Sequence, residues 1–288
     1  SLGSMFGVVD QDRLAAIRAR LRTLPPIVRV KSHVVDQTTG NQRRGKSAVT
    51  SNGWVPTVTA LHGLYNIEAT MDRVGPGSSH VRLVVTGRRQ DGRSWTLDRT
   101  NTFFDESNIS YASVEETLRM LATIESNGFE RVTFTSVEIS ASLESSAKRF
   151  VISQVAISKN GGPYRVIDEL RVRPGDVLGI RVRLRSNTGA TVTKALSMTV
   201  PAKASGTGVL SVAGGASDYF DSCSWDPSSC ANGFGSLLKA LQNSPRNNDL
   251  SADLKFYDGF DDVGATKRVK RALDRAIFGG VEIYILAR

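Results

Sequence analysis

The stretch Leu170-Arg-Val-Arg-Pro-Gly-Asp-Val-Leu-Gly-Ile-Arg-Val-Arg-Leu-Arg-Ser186 decides how the chain is read. Ile180, Val182 and Leu184 alternate with Arg181, Arg183 and Arg185. Successive strand side chains point to opposite faces, so one face is aliphatic and the other cationic. Before the turn the same phase repeats, with Leu170 and Val172 against Arg171 and Arg173. Pro174-Gly175-Asp176 fixes one φ, frees the next and adds a side chain that bonds its own turn, so the two strands are expected to fold back on each other. The expectation is a half-buried antiparallel sheet with arginines on its wet side, which suits a scaffold or binding module.

On either side of this stretch the sequence continues as short strands: 149–158, 164–172, 177–185, 192–200 and 209–212, separated by turns at Asn160-Gly161-Gly162 and Asn187-Thr188-Gly189. That spacing is the signature of a β-sandwich. Farther on come a short helix near Phe234–Leu241, a strand at Leu250–Tyr257, a basic helix or helical turn over Thr266–Ile277, and a last apolar strand, Val281–Leu286, expected inside a sheet. Toward the N-terminus the pattern is mixed. Leu14, Ile17 and Leu21 sit at helical spacing over 10–22, with acids first, bases last and Pro25-Pro26 as a stop. Strands follow at 27–35 and 46–50, a helix over 56–74, a hairpin of 81–85 with 95–103 around Asp91-Gly92, a helix over 113–126 and a strand over 132–140. The fold class is therefore α+β: an arm and helix over 1–24, an α+β domain over 25–130, and a mostly antiparallel β-sandwich-like domain over 131–288 that carries a cysteine loop and a C-terminal helix and strand.

With 288 residues, 40% of them hydrophobic and 23% charged, the chain can bury a substantial core. No apolar run reaches the roughly 20 residues of a membrane-spanning helix. No charged-then-apolar leader opens the sequence, so the expectation is a mature secreted product or a piece of a longer protein. The formal net charge of +9 attracts polyanions, although arginines spread along strand faces also keep sheets soluble. Aromatic residues at 7% show no base-stacking spacing, which argues against specific nucleic-acid recognition. Cys223 and Cys230 enclose six residues including Pro227, a loop short enough for a disulfide, with two reduced thiols as the alternative. A disulfide would place the chain outside the cytoplasm, secreted or at the cell surface.

Catalytic, cofactor and metal motifs are not found. His33, His62 and His80 fall outside any nucleophile motif and read as ordinary histidines. Asp258, Asp261 and Asp262 lack calcium-loop spacing and read as a solvated turn. Lys267, Arg268, Lys270, Arg271 and Arg275 read as a solvated cationic helix face. The candidate binding residues are Arg171, Arg173, Arg181, Arg183 and Arg185 for an envelope polyanion. An apolar arm, Leu2, Met5, Phe6, Val8 and Val9, is the candidate for self-association by strand addition.

Leu2-Gly3 with Gly7-Val-Val-Asp-Gln-Asp-Arg-Leu-Ala-Ala-Ile17 resembles the segment just downstream of the peptidase core in secreted actinobacterial proteins of the SpoIVB-type serine peptidase family. Asp72-Arg-Val-Gly-Pro-Gly-Ser-Ser79, the run Pro174–Arg185 and Val200-Pro201 are similar to the long C-terminal region of the same proteins. The resemblance implies that Ser1 onward is native sequence and that the chain is the non-catalytic C-terminal portion, released by cleavage near its first residue. The family's Gly-Met-Ser-Gly-Ser-Pro-like serine motif has no match here, so no catalytic residue carries over. The expected function is a secreted interaction or self-assembling module with a protein or polyanion partner and no cofactor. The alternative is part of a serine peptidase, active only with its upstream domain.

Overall fold

The computed structural model describes residues 7–13, 16–21, 26–50, 52–217, 230–258 and 262–288, with side chains over 26–50, 52–217, 230–257 and 264–288. The fold is α+β. Strands β1 (Gly7–Arg13) and β2 (Ala16–Leu21) pair antiparallel where a helix was expected. The sequence allows both: Leu14, Ile17 and Leu21 mark one helical stripe, but Ile17, Ala19 and Leu21 also alternate with Arg18 and Arg20 at the strand period of two.

The next elements repeat a hairpin-plus-helix unit: β3 (Val28–Asp36), β4 (Gln42–Val49) and α1 (Val55–Met71), then β5 (Gly77–Arg88), β6 (Ser94–Asp105) and α2 (Ile109–Glu125). Strand β7 (Thr133–Glu144) inserts between the hairpins, parallel to β3 and antiparallel to β5, giving the order β4-β3-β7-β5-β6. The boundary expected near 131 thus falls ahead of a central strand of this sheet, and its core runs on through Val137, Ile139 and Leu143. Alternation builds the layer. On β3, Val28, Val30 and Val34 are buried while Arg29 and Lys31 face water. Ile67 and Met71 of α1 and Leu121 and Ile124 of α2 complete the core, each worth roughly 1.5–3 kcal/mol on burial.

The remaining strands form two sheets around a second core. β8 (Arg149–Lys159), β10 (Val177–Ser186), β11 (Thr191–Thr199) and β15 (Ala276–Phe278) are ordered β11-β10-β8-β15. β9 (Glu169–Val172), β12 (Gly206–Gly214), β13 (Asp249–Asp258), β14 (Asp262–Ala272) and β16 (Gly280–Ala287) are ordered β14-β13-β12-β16-β9. Leu178, Ile180, Val182 and Leu184 of β10 share this core with Leu210, Leu254 and Ile285. β16 lies inside its sheet, as expected.

Two expectations are corrected here. Pro174-Gly175-Asp176 is a corner between sheets and not a hairpin: β9 pairs in parallel with β16, whereas β10 pairs with β8 and β11. Gly175 takes φ +87 and its N–H donates to Val200 O at 3.0 Å, while Asp176 Oδ2 accepts from the Arg173 N–H at 2.8 Å. The turn residues specify a reversal; the sheet each arm joins is set by packing. The second correction is the basic segment Thr266–Ile277, which forms β14 and part of β15 rather than a helix.

The helix near Phe234, α3 (Phe234–Asn243), leaves the sandwich and packs on the first core through Phe234, Leu237 and Leu241. Arg99 of β6 fixes its end. This buried guanidinium donates to the carbonyls of Ser244 at 2.5 Å and Pro245 at 2.8 Å and pairs with Glu116 at 2.8 Å, satisfying acceptors left open at a helix C-terminus.

Candidate functional site

Positive charge collects on three strands in three different settings. On β10, Arg181, Arg183 and Arg185 stand on the outer face opposite Ala195, Thr193 and Thr191 of β11 and beside Ala156, Gln154 and Val151 of β8. The Arg181 guanidinium lies 3.9 Å from the Tyr164 ring centroid, a stacked cation–π contact. Among the described residues no carboxylate lies within ion-pair distance of Arg183 or Arg185. The corner divides the five arginines. Arg171 sits on edge strand β9, 4.0 Å from Glu169, and Arg173 lies in the corner itself.

Strand β14 is the second setting. It is an edge of its five-stranded sheet, and two of its four cations have local partners: Arg268 with Asp253, and Lys270 with Asp249 at 3.7 Å. Charged edges of this kind discourage pairing with other chains.

The third setting is concave. Edge strand β4 and helix α1 enclose a groove of about 500 Å³ lined by Arg43, Arg44, Gly45, Lys46, Ser47, Val58, Leu61, His62, Tyr65 and Asn66. Gly45 lets the helix come close, because a Cβ there would meet the Asn66 amide and Ser32 Oγ at 2.6 Å. His62 Nδ1 is 2.8 Å from Ser47 Oγ and its Nε2 is 3.0 Å from Ser32 Oγ, while Asn66 Oδ1 accepts from Arg43 Nε at 3.1 Å. Thr70 Oγ1 donates to Asn66 O at 2.6 Å. The helix therefore buries a polar seam of Thr59, His62, Asn66 and Thr70 against β3 and β4.

Its apolar residues divide: Val55, Ala60, Ile67 and Met71 are buried on the core side, and others stand at the surface. Trp54 is 62% exposed, Leu61 43% and Tyr65 64%. The spacing Val58, Leu61, Tyr65 is one helical stripe that lines the groove, with Val58 also packed against the first core. The apolar positions that mark this helix in the sequence, Leu61, Leu64, Tyr65, Ile67 and Met71, thus divide between the core and the surface. The overlooked signal is the second stripe, Thr59, His62, Asn66 and Thr70, at the same periodicity.

Chemically, Ser47–His62–Ser32 is a hydroxyl–imidazole–hydroxyl chain. A Ser–His–Asp arrangement needs a carboxylate behind the ring to orient and stabilise the imidazolium; here both ring nitrogens meet hydroxyls, and burial pushes the His62 pKa below its usual 6.5. The neutral imidazole ties α1 to β3 and β4. His33 lies 3.5 Å from Gln42 Oε1, and His80 Nδ1 lies 3.2 Å from Thr102 Oγ1, its pKa lowered by burial and by Arg246. Among the described residues no group of three His, Cys, Asp or Glu is placed to hold a metal, and no helix is long and apolar enough to cross a membrane.

Of the expected assembly arm, Leu2, Met5 and Phe6 lie outside the described residues. The Val8 and Val9 backbones pair with Arg20 and Ala19 in the β1/β2 hairpin. Cys223, and with it the expected bridge to Cys230, also lies outside the described residues, as do the Asp258, Asp261 and Asp262 side chains. No family model matches the chain, and no curated protein matches it.

Proposed function

We propose that the chain is a non-catalytic binding module of the extracytoplasmic space, secreted or at the cell surface, that holds an anionic envelope polymer along the outer face of β10. In this reading it is the C-terminal region of a protein with a SpoIVB-type peptidase domain, in a compartment where Cys223 and Cys230 close as a disulfide.

The observation that carries the reading is the position of the arginines. Edge protection accounts for β14, but β10 is an interior strand with a neighbour on each side. Arg181, Arg183 and Arg185 repeat every second residue, about 6.7 Å apart along the strand. Arg181, Arg183 and Arg185 are exposed beside alanine and threonine on β11, and Arg183 and Arg185 have no acid partner among the described residues. A linear polymer with an anion on each repeat can lie along such a row and release its counterions.

The test is affinity for long-chain polyphosphate measured across a salt series. The triple variant Arg181→Glu, Arg183→Glu, Arg185→Glu is expected to bind about a hundredfold more weakly at low salt, with a log–log salt slope shallower by about 2–3. Unchanged binding in this variant, with loss on reversing Lys267, Arg268, Lys270 and Arg271 instead, would reject β10 as the site.

A further inference from the structure

We propose that β4 is a docking edge: an extended segment of a partner protein, with acidic residues alternating with apolar ones, adds to the first sheet as a strand beside β4 and under the shoulder of α1. Three features of the groove converge on this occupant.

First, β4 pairs only with β3 among the described residues, so the N–H and C=O groups along its far side are open to a further strand. Second, α1 covers the sheet with Val55, Ile67 and Met71 but carries more than a core face. It buries Thr59, His62, Asn66 and Thr70 and presents Val58, Leu61 and Tyr65 as a wall above the open edge. Exposed apolar side chains beside a buried polar seam are a local departure from the burial rule, and such departures accompany functional sites. Third, the charges on β4 lack partners of their own. In the register, Lys46 lies opposite Lys31, whose ammonium is already paired with Glu138 at 3.4 Å. Among the described residues, Arg43, Arg44 and Lys46 have no carboxylate partner. Anions supplied from outside would pair with these cations.

The pleat then fixes the pattern of the guest. A strand added about 4.8 Å from β4 alternates its side chains between the two faces of the sheet. On the helix side lie Gly45 and Ser47 with Val58, Leu61 and Tyr65 above them; on the opposite side lie Arg44 and Lys46. Apolar residues of the guest thus meet the helix wall, and the intervening acids meet the cations. Strand addition gives affinity through the main chain and specificity through alternate side chains.

The experiment uses a blocked, fluorescent peptide of alternating glutamate and valine, eight residues long to match β4, read by anisotropy with the whole chain. Arg44→Glu with Lys46→Glu is expected to weaken binding at least about tenfold, and the exposed Tyr65→Ala about three- to tenfold. Methylating alternate backbone nitrogens of the peptide along one edge is expected to abolish binding, and the peptide should slow amide exchange over 42–49. Equal binding of the methylated peptide, or indifference to the β4 charge reversal, would overturn the proposal. So would a concentration-dependent dimer that the same reversal disperses, since a second copy would then be the occupant. The β10 triple variant should bind the peptide like the parent chain, so failure here stays distinct from failure of the polyanion reading.

Discussion

On β10 the arginines point away from a sheet that continues on both sides, over a flat floor of alanine, threonine and glutamine. On β4 the cations line the last strand of a sheet, with open backbone beside them and a helix above. The two strands carry similar charge but offer different chemistry. A flat row can hold a flexible chain of anions by charge alone, with little shape selection. A cationic edge under an apolar wall can also select backbone direction and alternate side chains. Position within the sheet, more than residue type, decides which kind of partner a basic strand can take.

Arginine itself supplies the sharpest contrast between a structural and a surface role. Arg99 is 2% exposed and holds Glu116 and the carbonyls at the end of α3. Arg99→Leu leaves Glu116 without its partner and the helix end uncapped, and should cost about 3–5 kcal/mol in urea denaturation. An effect under about 1 kcal/mol would mean that α3 is not held through this residue.

The two faces of β10 should differ almost as strongly. Ile180→Ala is expected to cost about 2–5 kcal/mol, because it leaves a cavity in the sandwich core. Arg183→Ala, three residues along on the wet face, should fall within about 0.5 kcal/mol. If Arg183→Ala proved as damaging, the row would be part of the scaffold and the case for a ligand would weaken.

This alternation is what made β10 legible from sequence. Where a strand is buried on one face only, its period of two survives in the residue order. Edge strand β14 shows the converse. It is wet on most of its length, and the half-buried Ala265, Val269 and Leu273 fall at steps of four, which suit one face of a helix as well as alternate positions of a strand. The α1 groove was illegible for another reason. Leu61 and Tyr65 have the same helical spacing as residues that pack inward, and only the tertiary placement of His62 between Ser47 and Ser32 shows that a polar stripe beside Ile67 and Met71 is buried in their place. Similarly, Pro174-Gly175-Asp176 announces a turn, but the choice between hairpin and corner depends on partners more than a hundred residues away in β16.

The polar seam under α1 should respond to pH where the arginine row does not. Because burial lowers the folded-state pKa of His62 below 6.5, the unfolded chain takes up its proton first as pH falls. The stability tied to the neutral ring is therefore complete above about pH 6.5 and declines below it, levelling once the folded ring is also protonated. His80 shifts in the same direction and adds to the slope. Urea midpoints measured between about pH 5 and pH 7.5 should show a shallower dependence in His62→Gln than in the parent chain. An identical dependence would show that His62 titrates as freely when folded as when unfolded, and that the seam does not seal the helix to the sheet.

The smallest expected change in stability bears most directly on β4. Lys46→Glu puts an acid opposite Lys31, which already holds Glu138 at 3.4 Å, and should stabilise the fold by at most about 0.3 kcal/mol. The same substitution should weaken capture of the acidic peptide. A variant that is slightly more stable yet binds less well is the signature of charge retained for a partner at the expense of the fold. Lys46→Glu that destabilises the chain would instead assign Lys46 to the scaffold, and would leave β10 as the better candidate for the surface at which this molecule meets an anion.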